Sequence, residues 1–355
     1  MRSFIIKSAP SNEMFRKYAL VVDLFNREIF MYNTVLYEFE KFQKETKITD
    51  PFQSYPMYYG CCLVNMNEAV FLNDVTEQEY ELYNRRRYLD YNHTVLVLEE
   101  YAKLHAISFA MRLQKNEVFI KLADKVQDHY FTKLEDSILN LNWKHIQNAL
   151  IFIDPNAQNG LYEKLKNLVN VIKNLLKKRE SNNSYSVIRH GDCWISNYLF
   201  KYESSEQHRT PSNVCILDWQ ASHYGSPALD LSHFIFTCTD KELRDEYYES
   251  FIEKYYQTFA NFLMKMRGNP RNQFPFEILQ EHLKTYSVFG LYMALQCLLI
   301  SSSNGGNFKE KCEISSFEDL IEKTNHNRDN LERYGKGIKD VIMTLKIGIR
   351  FLTFY

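Results

Sequence analysis

A His, an Asp and an Asn fall together in VIRHGDCWISNYLF (187–200), and another Asp closes the apolar run that opens CILDWQASHYGSPALD (215–230). Carboxylates placed beside apolar runs are costly to bury alone, so these groups are either paired or meant for a ligand. Asp218 and Asn197 offer hard oxygen donors, the kind magnesium takes a few at a time while phosphates and water fill its other positions. Asp192 precedes Asn197 by five residues, near enough to accept the proton of a nucleophilic hydroxyl. A base, metal ligands and a cation for the phosphates are the parts that phosphoryl transfer divides among side chains. The cation must be held by an acid. Lys7 ends the first β-run, and Glu28 lies on the first helix, within three or four residues of Phe25 and Tyr32.

The elements that must hold these residues follow from pattern. SFIIKSAP reads as a short buried strand ending at Pro10. Phe25, Ile29, Tyr32, Leu36 and Phe39 recur at steps of four and three, which predicts a helix closed by Asp50 and Pro51. YYGCCLV and AVFLNDV predict two short strands that join the first in a small sheet, and TEQEYELYNRRRYLD reads as a polar linker. From residue 91 the pattern is mostly helical, with Leu96, Ala102, Ala106 and Phe109 facing inward and further helices over 121–149 and 160–179. NYLFKY and NVCILDW predict a β-hairpin around ESSEQHRTPS, with Asp192 and Asn197 at one mouth and Asp218 at the other. After residue 228 helices run to the end, broken at 267–275 and 301–307. No internal repeat is visible. The chain is expected to form a small N-terminal lobe over 1–75 and a helical lobe over 76–355 that carries the catalytic hairpin within 187–220.

H-G-D-x-W-x-x-N, then I-L-D-W-Q, then P-A-L-D-L resembles small-molecule kinases related to choline kinases and aminoglycoside phosphotransferases, and most of all the ecdysteroid kinase-like family. FIIKSAP, FNREIFMY, LEEYAKLHAISFAM and FGLYMALQCLLI resemble the family's pattern in the same order, so the resemblance covers nearly the whole chain. It implies an α+β, two-lobed protein-kinase-like fold with ATP and Mg2+ as cofactors. Asp192 matches the catalytic Asp, Asn197 and Asp218 the magnesium ligands, and His190 the loop-bracing His. Lys7 would contact the nucleotide phosphates with Glu28 as its partner, and Asp230 would organise the catalytic loop. Asn73 and Val75 lie where the family has its interlobe hinge and recognises adenine through backbone groups; Asn73 stands where a Glu is usual. The family also has two strands and a Gly-containing loop ahead of the Lys strand. No Gly precedes Gly60, so the small lobe is expected to lack its first strands.

Only eight residues separate Asp218 from Pro227, too few for the activation and peptide-docking segment of a protein kinase. A small hydroxylated acceptor fits better, and the resemblance implies an apolar one, an ecdysteroid-like or xenobiotic alcohol met in detoxification. Of 355 residues, 45% are hydrophobic, 25% charged and 15% aromatic, and the net charge of −1 argues against a nucleic-acid partner. Seven scattered cysteines without C-x-x-C spacing predict reduced thiols in a cytoplasmic protein. The run 288–300 is too short to span a bilayer and predicts a core helix, so no membrane partner is expected. Two other readings remain open from the residues: a small-molecule binding protein, pseudokinase-like or a catalytically impaired fragment, that lacks the Gly-rich loop, and a metal-dependent phosphohydrolase.

Overall fold

The computed structural model describes residues 3–13, 16, 20–126, 146–156, 161–168, 170–172, 183–203, 209–302 and 328–348. In the small lobe, β1 (Phe4–Ser8) precedes a long helix made of α1 (Val21–Phe30), a π turn at Met31–Val35 and α2 (Leu36–Glu45). Strands β2 (Tyr58–Cys62) and β3 (Ala69–Asn73) follow, and the antiparallel sheet has the order β1–β3–β2. The five-residue stripe from Phe25 to Phe39 is buried throughout, as its spacing requires. Strand β1 departs from expectation: Phe4, Ile5 and Ile6 are each at least half exposed. It is an edge strand with one partner, and the long helix packs against β2 and β3 instead. Its register still places Lys7 opposite Val70.

The polar stretch after β3 is more ordered than a linker. Asp74 caps a 3-10 turn at Val75–Gln78, accepting from Thr76 N at 3.0 Å, and β4 (Glu81–Leu82) then joins the sheet of the other lobe. Asp90 caps α3 (Tyr91–Gln114), which buries Ala102, Ala106 and Phe109 and leaves Leu96 half-buried. Next comes α4 (Asn116–Lys125); most of the helix expected over 121–149 lies outside the described residues, and within 160–179 a helix is seen at Leu161–Lys166.

The expected hairpin of NYLFKY with NVCILDW forms, but the short strands that flank it pair with each other. Strand β5 (Val187–Arg189) pairs not with its successor β6 (Tyr198–Glu203), which pairs with β7 (Thr210–Ile216), but with β8 (His223–Gly225). Residues 190–197 and 217–222 therefore form two connections lying side by side between two small sheets.

Four longer helices complete the lobe: α5 (Pro227–Cys238), α6 (Lys241–Lys265), α7 (Phe276–Ser302) and α8 (Arg328–Gly348). Helix α6 lies along α3, and α7 lies between α5 and α8. At 27 residues α7 is long and apolar enough to cross a membrane by length and composition, so the short span of its apolar run does not decide the matter; 67% of its most apolar window is buried inside the protein. The α5–α7 crossing is close. A Cβ on Gly290 would stand 2.3 Å from Ser232 O and 2.5 Å from a Phe236 ring carbon.

Asp230, fully buried on α5, ties this helix to the chain end of β5. Its Oδ1 accepts from Arg189 Nη1 at 2.6 Å and from Gly191 N at 3.1 Å, and its Oδ2 accepts from His190 N at 2.8 Å. Burial alone would raise its pKa, but the Arg189 guanidinium, the His105 hydrogen bond and the charges of both histidines hold the carboxyl well below the usual carboxylate range.

Two stability predictions follow from this packing. Gly290→Ala forces α5 and α7 apart and is expected to lower unfolding free energy by about 1–3 kcal/mol in urea melts. Asp230→Asn strands the Arg189 charge and should cost about 3–5 kcal/mol at pH 7. Because the folded pKa is depressed, the wild-type contribution is full above the unfolded value of about 4 and declines as pH falls below it. Urea midpoints measured from pH 7 to pH 3 should therefore fall more steeply in the wild type than in Asp230→Asn below that point.

Candidate active site

The small lobe delivers one cation to the cleft. Lys7 Nζ donates to Glu28 Oε2 at 2.7 Å and to Asp218 Oδ1 at 2.8 Å, so one ammonium joins β1, α1 and the chain end of β7. Burial opposes its charge, but Asp218 and Glu28 together hold its pKa above the ordinary lysine value. The Glu28 side chain is buried, which pushes its pKa up to about 7, the Lys7 charge opposing the rise and Asp218 adding to it. Asp218 itself sits at φ 63°, ψ 68°, in the left-handed region that residues with a Cβ rarely adopt. That turn ends the strand and brings its carboxylate to the Lys7 ammonium.

The neighbouring connection carries Asp192. Asn197 Nδ2 donates to Asp192 O and to Asp192 Oδ2, both at 2.8 Å, which fixes the carboxylate relative to its own loop. Burial and the charge of Asp218 push the Asp192 pKa up to about 7, against the Asn197 hydrogen bond and the Lys7 charge. His190 braces the two connections: its Nε2 donates to Leu217 O at 2.9 Å, while Leu217 N donates to Asn197 O at 2.9 Å. Gly191 is required by both space and backbone. Its φ is 89°, and a Cβ there would stand 2.0 Å from Ala221 O.

With both amide hydrogens of Asn197 turned to Asp192, its Oδ1 is left as an acceptor. Among the described residues Asp218 Oδ2 accepts from Gln220 Nε2 alone, at 3.4 Å. These two oxygen donors suit magnesium rather than a softer metal. Among the described residues no group of three or more His, Cys, Asp and Glu side chains that could hold a metal ion is found.

At the expected hinge, Asn73 turns its side chain back to accept from Met57 N, and Asn73 N donates to Met57 O at 2.9 Å. Its amide is thus committed to the small lobe. Val75 packs with Leu199 and Cys215, with Leu217 against them, one residue from Asp218.

The structure brings Lys7, Glu28 and Asp218 into one contact network, sets Asp192 and Asn197 on the adjoining loop, and anchors that loop on Asp230 through the backbone of His190 and Gly191. Val75 reaches the same region through its apolar cluster, whereas the Asn73 side chain does not. Sequence reasoning missed Arg27, whose Nη1 donates to Ser222 O at 2.9 Å and joins α1 to the connection after Asp218. It also missed Arg189. A cation directly before H-G-D was a signal, but only the fold shows that Asp230 is its partner. His105, central to α3, is fully buried with its Nδ1 2.9 Å from Tyr255 OH and its Nε2 3.4 Å from Asp230.

Among solved structures, the chain is similar to a spectinomycin phosphotransferase in complex with ADP and spectinomycin (11% identity, TM-score 0.41, covering 96% of this chain and 87% of that one). It is similar also to an aminoglycoside 2'-phosphotransferase in its GDP complex (12%, TM-score 0.40, 91% and 83%) and to a glucosamine kinase (8%, TM-score 0.33, 98% and 73%). Comparison with curated proteins finds no match. The ecdysteroid kinase-like family matches residues 1–268, three quarters of the chain, and the chain belongs to that family of small-molecule kinases.

Proposed function

We propose that the chain is an ATP- and magnesium-dependent phosphotransferase that phosphorylates a hydroxyl of a small, apolar molecule of the ecdysteroid or xenobiotic-alcohol kind. One observation carries this reading: a single ammonium, Lys7, is shared between the buried Glu28 and Asp218, while Asp192 is fixed by Asn197 on the adjoining loop.

In this reading Lys7 turns part of its hydrogen bonding from Asp218 to the nucleotide phosphates, and Glu28 keeps it from swinging away. Asn197 and Asp218 would hold magnesium, which neutralises charge on the phosphates when bound. Asp192 orients the acceptor hydroxyl and receives its proton as the new oxygen–phosphorus bond forms and the bond to the leaving ADP oxygen breaks. A carboxylate whose proton affinity lies near neutrality is suited to accept that proton and give it up again. Leu217 and Val75 supply an apolar surface next to the phosphate site, where an adenine ring would stack.

Asp192→Asn keeps the hydrogen-bonding shape but removes the base, so turnover should fall by about 10²-fold or more while ATP affinity survives. Full activity in this variant would remove Asp192 from the mechanism. Asp218→Asn removes one of two metal donors and a partner of Lys7. Calorimetric titration should show ATP binding strengthened by magnesium in the wild type and this magnesium dependence lost in the variant; equal dependence in both would exclude Asp218 as a ligand.

A further inference from the structure

Arg27 and Glu28 are consecutive on α1 and so point about 100° apart around its axis. Glu28 turns to Lys7, its Oε2 accepting from Nζ at 2.7 Å, and Arg27 turns to the large lobe, where its Nη1 donates to Ser222 O at 2.9 Å. The turn Trp219–Ala221 starts directly after Asp218 and is closed by Ser222 N, which donates to Trp219 O at 3.1 Å. Lys7 therefore holds one end of this turn, at Asp218, and Arg27 holds the other. Both grips come from the small lobe, and α1 packs on the turn between them.

The two grips respond differently to a nucleotide. The Lys7 ammonium is shared with Asp218, so phosphates that take its hydrogen bonds compete with that carboxylate. The acceptor of Arg27 is the carbonyl of a fully buried residue, outside the groups that hold phosphate or metal. A guanidinium donating to such a carbonyl makes a charge-assisted hydrogen bond, stronger than a neutral one, and losing it strands a buried acceptor. The far side of the turn meets the loop of Asp192. His223 Nδ1 donates to Ala221 O at 2.8 Å, and a Cβ on Gly191 would stand 2.0 Å from that same oxygen. Arg27 thus ties the helix of Glu28 to the turn that abuts the Asp192 loop.

We infer that Arg27 is a positioning residue for phosphoryl transfer: it keeps α1 docked on the turn after Asp218 when a nucleotide draws Lys7 off that carboxylate, so that Glu28 still holds the ammonium in place. Arg27 touches neither nucleotide nor metal in this role and acts through Glu28. The inference rests on the phosphotransferase reading, since the clamp that Arg27 serves is the one assigned there.

The test is calorimetric titration of the full chain with ATP in the presence of magnesium. Arg27→Met keeps the length of the side chain and removes its donors, and ATP affinity should fall by about tenfold. Arg27→Lys keeps a cationic donor and should recover most of that loss. Because Arg27 acts through Glu28, adding Arg27→Met to Glu28→Gln should weaken ATP binding by less than about twofold beyond Glu28→Gln alone. A purely structural Arg27 would lower the urea midpoint and leave the ATP affinity of the folded chain unchanged. Urea melts check that each variant folds; should Arg27→Met fail, Arg27→Gln, with a neutral donor, carries the same comparison. Wild-type affinity in the folded variant would overturn the inference. So would the full loss repeated in the Glu28→Gln background, which would mean that Arg27 acts apart from the Glu28–Lys7 pair. If the wild type itself binds no ATP, the phosphotransferase reading falls and the inference with it; wild-type binding that is indifferent to Arg27 sinks the inference alone.

Discussion

Everything at the candidate site hangs from the carboxylate of Asp230. A fully buried Asp in the first turn of a helix would be untenable alone, since its desolvation cost is several kcal/mol. Here the cost is offset by the Arg189 guanidinium and by the two successive backbone amides of His190 and Gly191, which have no strand to pair with once β5 ends. The same contacts that stabilise the charge therefore fix the path of the loop that follows. Gly191 can follow that path only because its backbone adopts φ 89° against Ala221. Asp192, one residue later, inherits its position from this anchor rather than from any contact of its own carboxylate with a strand.

The second constraint is a competition for Lys7. Its ammonium satisfies Glu28 from the small lobe and Asp218 from the large one, and each contact is short. Burial foremost, and then the charge of Asp218, raises proton affinity at Glu28 and Asp192, since one ammonium stands between two carboxylates. That excess of negative charge is what a divalent cation is suited to relieve. The bridge also links the lobes mechanically, together with Arg27 on Ser222 O and β4 on β6. Any ligand that takes hydrogen bonds from Lys7 loosens one of these three ties while leaving the other two.

Much of this was legible in the sequence because it is local. The helical stripe from Phe25 to Phe39 needs only period and apolarity, and the H-G-D-x-W-x-x-N and I-L-D-W runs place their polar residues at fixed offsets within a few residues. What sequence could not show depends on partners distant along the chain. The pairing of β5 with β8 joins residues 36 apart at its centre, Ile188 and Tyr224, and neither short apolar run carries a signal for its mate. The exposure of β1 is equally illegible, because FIIKS has the composition of a buried strand and only the sheet order makes it an edge. The partnership of Arg189 with Asp230 spans 41 residues, and an Arg before H-G-D could as well have faced solvent. The polar segment 76–90 illustrates the opposite error. Its composition reads as linker, yet Asp74, Asp90 and the pairing of Glu81 with Phe200 give it caps and a strand.

Helix α5 holds the loop that carries Asp192 at two points along its length. Asp230 near its start holds the loop backbone, and Thr237 near its end holds Cys193 O. The two residues are seven apart, about two turns, so both lie on the face turned to the loop. Gly290 lets α7 approach the back of this helix closely enough to fix it. The loop that carries Asp192 is therefore held by the large lobe. Lys7 and Glu28, by contrast, arrive from β1 and α1 across the lobe boundary, so the distance between Lys7 and Asp192 depends on how the two lobes meet.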